Sequence, residues 1–480
     1  MAEPFSNIES ETIDASTKLV KEKNVKDFIS SPSSQIDPCQ TKGISLIKNP
    51  KQEPKTDYSY NPSKVDLWNK PRLSHSDTSV LISSKRSCKK LDLSGCGLTK
   101  LPEVLRDFHE LEELNLSNNP LSNLDIPFLE YLPWYRLKKL NLSGCGLTKL
   151  PKGLRDYHRL EELNLSNNPL SNLDISFLEY LPSWYRLKKL DLSGCGLTKL
   201  PEGLCDCHKL EELNLSNNPL SNLDIIFLEY LPSWYRLKKL DLSGCGLTKL
   251  PEGLCDCYRL EELNLSNNPL SNLDISFLEY LPRWYRLKKL DLSGCGLTKL
   301  PEGVRDYYRL EELNLSNNPL SNLDISSLEY LPWHRLKKVD LSGCGLTKLP
   351  EGLHDYHRLE ELNLSNNPLS NLDISSLKYL PRYELKKLDL SGCGLTKLPD
   401  LKVCSNLQEL NFSNNSFDHQ DLLEKLNSGK VFSSSGFRQS GKELLEPTAS
   451  GLGLSKRTCR IIFEDAVYIQ NSGVWTVAHK

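Results

Sequence analysis

The chain has 480 residues, with 60 Lys and Arg against 62 Asp and Glu and a formal net charge of -2. That balance excludes the strongly basic footprint of a typical nucleic-acid binder, and no run approaches the roughly 18 apolar residues of a membrane span. The opening MAEPFSNIESETIDAS has no apolar core behind basic residues, so no secretory signal is expected. Met1-Ala2 is not a myristoylation start, and the terminal Val477-Ala-His-Lys480 is not a prenylation box.

Residues 1–87 are rich in Ser, Lys, Pro and mixed charge, as in SSPSSQIDPCQTKGISLIKNPKQEPKTDYSYNPSKVD. Such a composition buries too little apolar surface to offset ordering entropy, and disorder is predicted. Val65, Leu67 and Trp68, then Val80, Leu81 and Ile82, are exceptions placed to fold back as a cap over about 65–87.

From Cys88 to about Phe417 one unit recurs at a period of 49 or 50 residues, typified by Leu187–Arg236, LKKLDLSGCGLTKLPEGLCDCHKLEELNLSNNPLSNLDIIFLEYLPSWYR. Each unit divides into two phrases, Leu187-x-x-Leu190-x-Leu192-x-x-Cys195-x-Leu197 and Leu210-x-x-Leu213-x-Leu215-x-x-Asn218-x-Leu220. Both match L-x-x-L-x-L-x-x-N/C-x-L. On those phrases, about fourteen in register over residues 88–427, the chain resembles the leucine-rich repeat proteins. The 23-residue odd phrase with its Leu-Pro is similar to repeats of intracellular signalling scaffolds around Ras or cell polarity. Alternating 23- and 27-residue repeats are also similar to the two repeat types of ribonuclease inhibitor.

Within a phrase the x-L-x segment is predicted as a short strand with alternate side chains in and out. Leu190 and Leu192 then face the core, while Lys188, Lys189, Asp191 and Ser193 line the sheet face. Even strands offer Glu211, Glu212, Asn214 and Ser216 there. The even return, Asp224 to Leu231, reads as a brief helix capped by Asp224 and stopped by Pro232, and Pro127 fits its first turn in the first unit. Trp134, Trp184, Trp234, Trp284 and Trp333 precede the odd phrases, with packing between units or a ligand role both open.

Phe412 and Phe417 replace leucines in the last phrase, and Asp421–Leu426 reads as a capping helix with Leu422, Leu423 and Leu426 inward. Residues 428–480 comprise a Ser/Gly-rich linker and a terminal segment, Arg460 to His479, predicted as one hairpin around Gln470–Gly473. A lone hairpin is marginal in water, so it must dock or belong to a further domain.

Cys96, Cys145, Cys195, Cys245, Cys295, Cys344 and Cys393 occupy one repeat position. Rungs about 4.8 Å apart put equivalent cysteines roughly 9–10 Å from each other, beyond the roughly 7 Å a disulfide allows between Cα atoms. Free thiols and a reducing, cytoplasmic compartment are expected. The Asn-Leu-Ser triplets at Asn115, Asn164, Asn214, Asn264 and Asn314 are either glycan acceptors or by-products of the phrase.

Three chemical candidates fail on their own residues. Gly436-Phe-Arg-Gln-Ser-Gly441-Lys442 has the P-loop frame, but Glu443 stands where Ser or Thr should hold Mg²⁺. Cys205-Asp-Cys207-His208 and Cys255-Asp-Cys257 correspond to Arg155 and Tyr157 or Arg305 and Tyr307 elsewhere, so no metal is expected and surface thiols are. His109, His158 and His208 alternate with Tyr258 and Tyr308, which does not suit a catalytic base. Variation between units gathers on this outer return, at Cys205 and His354 among others, while the sheet face scarcely changes.

The predicted fold is an α/β leucine-rich-repeat solenoid whose parallel sheet runs about fourteen strands, roughly 65 Å. The resemblance implies a non-catalytic protein-binding scaffold in signalling, or else a regulatory subunit whose effector lies elsewhere. No cofactor, metal or nucleic acid is expected. Candidate partner-binding residues on the concave face are Lys189, Asp191, Ser193, Glu212, Asn214, Ser216, Lys239, Asp241, Ser243, Glu262, Asn264 and Ser266. The same rows are equally readable as a solvated charge lattice that keeps the strands in register. On the inside–outside assignment, Asp241→Lys should be nearly neutral.

Overall fold

The structure is a computed structural model. It describes residues 64–67, 69, 75–121, 135–150, 154, 156–170, 185–200, 204, 207–220, 235–250, 254, 257–270, 285–300, 304, 307–320, 334–349, 353, 356–370, 384–396 and 406–416, and the backbone of three strands within 460–479. The predicted Asp224–Leu231 and Asp421–Leu426 helices lie outside these, as do Pro127, the five repeat tryptophans, Cys205, Cys255, Arg155, Arg305, His354 and the Gly436–Lys442 stretch.

Each phrase forms one three-residue strand, from β2 (Lys90–Asp92) to β15 (Glu409–Asn411), and all are parallel with their neighbours. The register is strict: in β6 (Lys189–Asp191) and β7 (Glu212–Asn214), Lys189 faces Glu212, Leu190 faces Leu213 and Asp191 faces Asn214. Leucines are the reason, since Leu187, Leu190, Leu192 and Leu197 are all at most 3 % exposed. Burying one such side chain contributes about 1.5–3 kcal/mol, so slipping a rung by one residue would lose several at once.

After each strand the chain turns sharply inward. Asp191 Oδ1 accepts the Ser193 N–H at 2.9 Å, closing a side-chain turn. Gly194 then takes φ 62°, and a Cβ there would come within 2.7 Å of Asn167 Oδ1. In even phrases Asn217, at φ 56°, makes the same left-handed step.

The phrase missed one rung. A strand β1 (Lys64–Asp66) lies parallel to β2, with Val65 and Leu67 buried and Asn69 at φ 55°. Its Lys-Val-Asp-Leu-x-Asn mimics Lys-Leu-Asp-Leu-Ser-Gly, which was the available signal. Helix α1 (His75–Ser84) covers the end beside it, tied to the first return by Lys85 and Asp107 at 2.6 Å. Of the six apolar residues expected to cap, Val65 lies in β1 with Leu67 just beyond it, and Trp68 lies outside the described residues. On α1, Leu81 is buried, Val80 half-buried and Ile82 51 % exposed, because adjacent helical positions cannot share one face.

The far end also differs from expectation. RIIFEDAVYI is not one strand of a hairpin but two, β16 (Arg460–Phe463) and β17 (Ala466–Asn471), followed by β18 (Val474–His479). The segment docks: β16 adds to β15 in parallel, and β17 and β18 continue antiparallel. Eighteen strands among the described residues thus form one sheet.

Candidate functional site

The polar side chains of the strands line one groove that runs from Lys64 at β1 to Asn411 at β15. Each strand sends its first and third side chains into it, and the residue just ahead of the strand adds a flanking row, so three rows run in parallel. In the first, Lys188 Nζ reaches back to Glu161 Oε2 at 2.7 Å and Lys238 to Glu211 at 2.7 Å. In the second, Lys189 reaches forward to Glu212 at 3.2 Å and Lys239 to Glu262 at 3.3 Å. The five odd strands from Lys139–Asn141 to Lys338–Asp340 are thus each stitched to both neighbours. The Lys188 hydrogen bond holds the Glu161 carboxyl below its usual range, outweighing the opposing effect of burial, and raises the lysine in turn. Glu112, Glu261 and Glu311 are lowered in the same way by Lys138, Lys288 and Lys337.

The third row alternates carboxylate and amide along much of its length. Asp241 Oδ1 accepts the Ser243 N–H at 2.9 Å and its Oγ–H at 2.7 Å, while Oδ2 accepts from Asn264 at 3.1 Å. Asp191 and Ser193 make the same turn, with the hydroxyl contact at 2.7 Å. Asn214 Oδ1 accepts the Ser216 N–H at 3.0 Å and Asn264 Oδ1 the Ser266 N–H at 3.0 Å. The candidate residues are thus brought together, with two exceptions. Ser216 is 6 % exposed and Ser266 7 % exposed, so neither offers a surface. The role of Asp241 as a turn cap also means that Asp241→Lys would not be neutral.

Asn218, which is not among the candidate residues of the groove, works inside the solenoid. It is fully buried, and its Nδ2 donates to Leu192 O at 2.9 Å and Leu215 O at 2.7 Å. Cysteines fill the alternate position: Cys195 Sγ contacts Leu165 O at 3.3 Å, and burial pushes its thiol up to about 11. Ten cysteines among the described residues are buried thiols. They include Cys207 and Cys257, expected at the surface. These two share a core position with the buried Phe108, Tyr157, Tyr307 and Tyr356, which explains why the position tolerates only apolar bodies.

Models of paired leucine-rich repeats match residues 86–130, 135–180, 185–227, 235–280, 285–330 and 334–379, and a single-repeat model matches 384–404. The chain belongs to the leucine-rich repeat family. Among solved structures, it is similar to a leucine-rich repeat protein of Leptospira interrogans at 26 % identity, over 76 % of this chain and 98 % of that one, with a TM-score of 0.56. An internalin of Listeria monocytogenes shares the fold at 24 % identity, over 65 % of this chain and 84 % of the other, with a TM-score of 0.50. No curated protein matches the sequence. Leucine-rich repeat solenoids are typically non-enzymatic binding scaffolds whose partners are proteins. Among the described residues of this one, no helix is long and apolar enough to cross a membrane, and no cluster of three His, Cys, Asp or Glu is placed to hold a metal.

Proposed function

We propose that this leucine-rich repeat chain is a non-catalytic protein-binding scaffold, serving signalling in a reducing, cytoplasmic setting. One observation carries the binding reading: a groove of fifteen strands whose lysines and glutamates are engaged with one another, beside a row of outward carboxylates and amides. Engaged charges are held in place before a partner arrives, which lowers the ordering cost of binding. The open row of acceptors suits a partner rich in N–H donors. Buried thiols at every second rung support the choice of compartment, since nothing in the packing calls for disulfides. The alternative, a regulatory subunit whose effector lies elsewhere, is not favoured by the terminal segment, which extends the sheet.

The groove repeats itself, so binding should be distributed over units. Leu187 and Leu237 occupy equivalent, fully buried positions, and removing 187–236 rejoins the chain in register. Partners captured by proximity labelling of the full chain should be retained by this deletion, with affinity falling in a modest step. Loss of all partners on removing one unit, or only on removing residues 1–63, would place binding elsewhere.

A further inference from the structure

Ahead of ten consecutive strands, from Lys139–Asn141 to Glu361–Asn363, the chain places an exposed Tyr or His, then a cation, then a buried leucine. Tyr185-Arg186-Leu187, His208-Lys209-Leu210 and Tyr235-Arg236-Leu237 are three successive cases. Core packing dictates the leucine alone. Tyr135, Tyr185, Tyr235 and Tyr285 on the odd rungs are 43–55 % exposed, and the cations are exposed except the half-buried Arg286. The pattern is bounded. The equivalent position is Glu110 before the first of these rungs and Glu384 after the last.

Four of the cations lie against rings. Arg186 Cζ lies 5.6 Å from the centroid of Tyr185, and Lys209 Nζ from the next rung lies 5.9 Å from the same ring. Arg236 and Arg286 pack on Tyr235 and Tyr285 at 5.7 Å and 5.8 Å. The nearby carboxylates of Glu161 and Glu211 are taken by Lys188 and Lys238, at 2.7 Å in both cases. Arg136 is paired with Glu110 at 2.5 Å and Arg286 is half-buried, so eight of the ten positive charges face solvent beside the paired lysines and glutamates. Tyrosine and arginine dominate protein-binding hot spots, and a guanidinium matches a carboxylate with two parallel hydrogen bonds.

We propose that this rim is a second docking surface and that its occupant is an extended acidic segment of a partner protein. A peptide can turn its carboxylates to the rim and neutral residues to the groove. A nucleic-acid strand carries a charge at every link, and the Asp–Asn row running parallel to the rim would repel it. The proposal rests on the chain being a protein binder but on residues apart from the groove candidates.

Nine rung spacings span roughly 43 Å, the reach of about 13 extended residues. The test is the binding of a fluorescent glutamate-rich peptide of about that length to the full chain, by anisotropy at low salt. The quadruple variant Arg186→Gln, Lys209→Gln, Arg236→Gln, Arg259→Gln should weaken it about tenfold or more. The triple variant Tyr185→Ala, Tyr235→Ala, Tyr285→Ala, which leaves charge unchanged, should weaken it about threefold or more. Asp191→Asn with Asp241→Asn, in the groove, should leave it within about twofold. Circular-dichroism melts confirm that the variants fold. Absence of peptide binding, indifference to either rim variant, or tighter binding of a polyuridine of equal charge would overturn the proposal. Those outcomes leave the groove reading standing, because that is judged by partner capture.

Discussion

The side-chain carbonyl of Asn218 accepts the backbone N–H of Cys195 at 3.1 Å, although 23 residues separate them. The same oxygen takes the Leu197 N–H at 2.9 Å, so a single amide satisfies the turn of the preceding phrase. The relationship repeats at Asn168 with Cys145 and at Asn268 with Cys245, both at 3.1 Å. Asn218→Ala leaves the Cys195 and Leu197 N–H groups and the Leu192 carbonyl buried without this partner, Leu215 O keeping only the Cys245 thiol at 3.3 Å, and should cost about 3–5 kcal/mol. The neighbouring Asn217→Gly, at an exposed left-handed position, should stay within about 0.5 kcal/mol. Urea unfolding of the two variants side by side checks the contrast.

Leu240 and Asp241 test the two faces of one strand. Leu240 is 2 % exposed, and Leu240→Asp buries an unpaired charge at a cost of several kcal/mol. Asp241→Lys removes the acceptor that closes the following turn and should cost about 1–2 kcal/mol. Asp241→Asn should be nearly neutral, since Asn141 makes the same bond to the Ser143 N–H at 2.9 Å. Thermal melts should rank the three in that order, and a Leu240→Asp protein as stable as Asp241→Asn would invert the strand.

The lysine–glutamate stitching predicts acid sensitivity. Glu112, Glu161, Glu261 and Glu311 titrate below their usual range because lysines hydrogen-bond them. A depressed carboxylate contributes stability that is present above its unfolded value, near 4.5 here, and is lost as pH falls through the folded value. The pairs are part-exposed, so each contributes only about 0.2–1 kcal/mol after screening. The melting temperature should therefore fall progressively below pH 4.5. With Glu161, Glu261 and Glu311 all changed to Gln, the slope should flatten and the neutral-pH melting temperature drop slightly.

The cysteine rungs predict chemical silence. Burial pushes Cys195, Cys245, Cys295, Cys344 and Cys393 up to about 11, and the thiolate is the reactive form. Alkylation of these five at neutral pH should be slow in the folded chain and prompt in guanidinium. Mass spectrometry after denaturation without reductant should find Cys145, Cys195 and Cys245 unbridged.

Much of this molecule was determined by the sequence alone, because a repeat that buries leucine every second and third position has one way to stack. The period, the strand at x-L-x, the thiol rungs and the facing lysine and glutamate rows all follow from spacing. Contacts between rungs were decided only by the tertiary structure. Nothing local to Asn218 says that it serves Cys195, and nothing local to Ser216 says that it is buried while Ser193 is half-open. Val65 and Asn69 form a rung only because β2 offers an unpaired edge, and β16 finds its place on β15 for the same reason. Cys207 and Tyr157 look like surface variation in the sequence, yet the turn carries both into the core. Backbone edges and buried donors are satisfied by residues far along the chain, so such pairings appear only once the rungs are stacked.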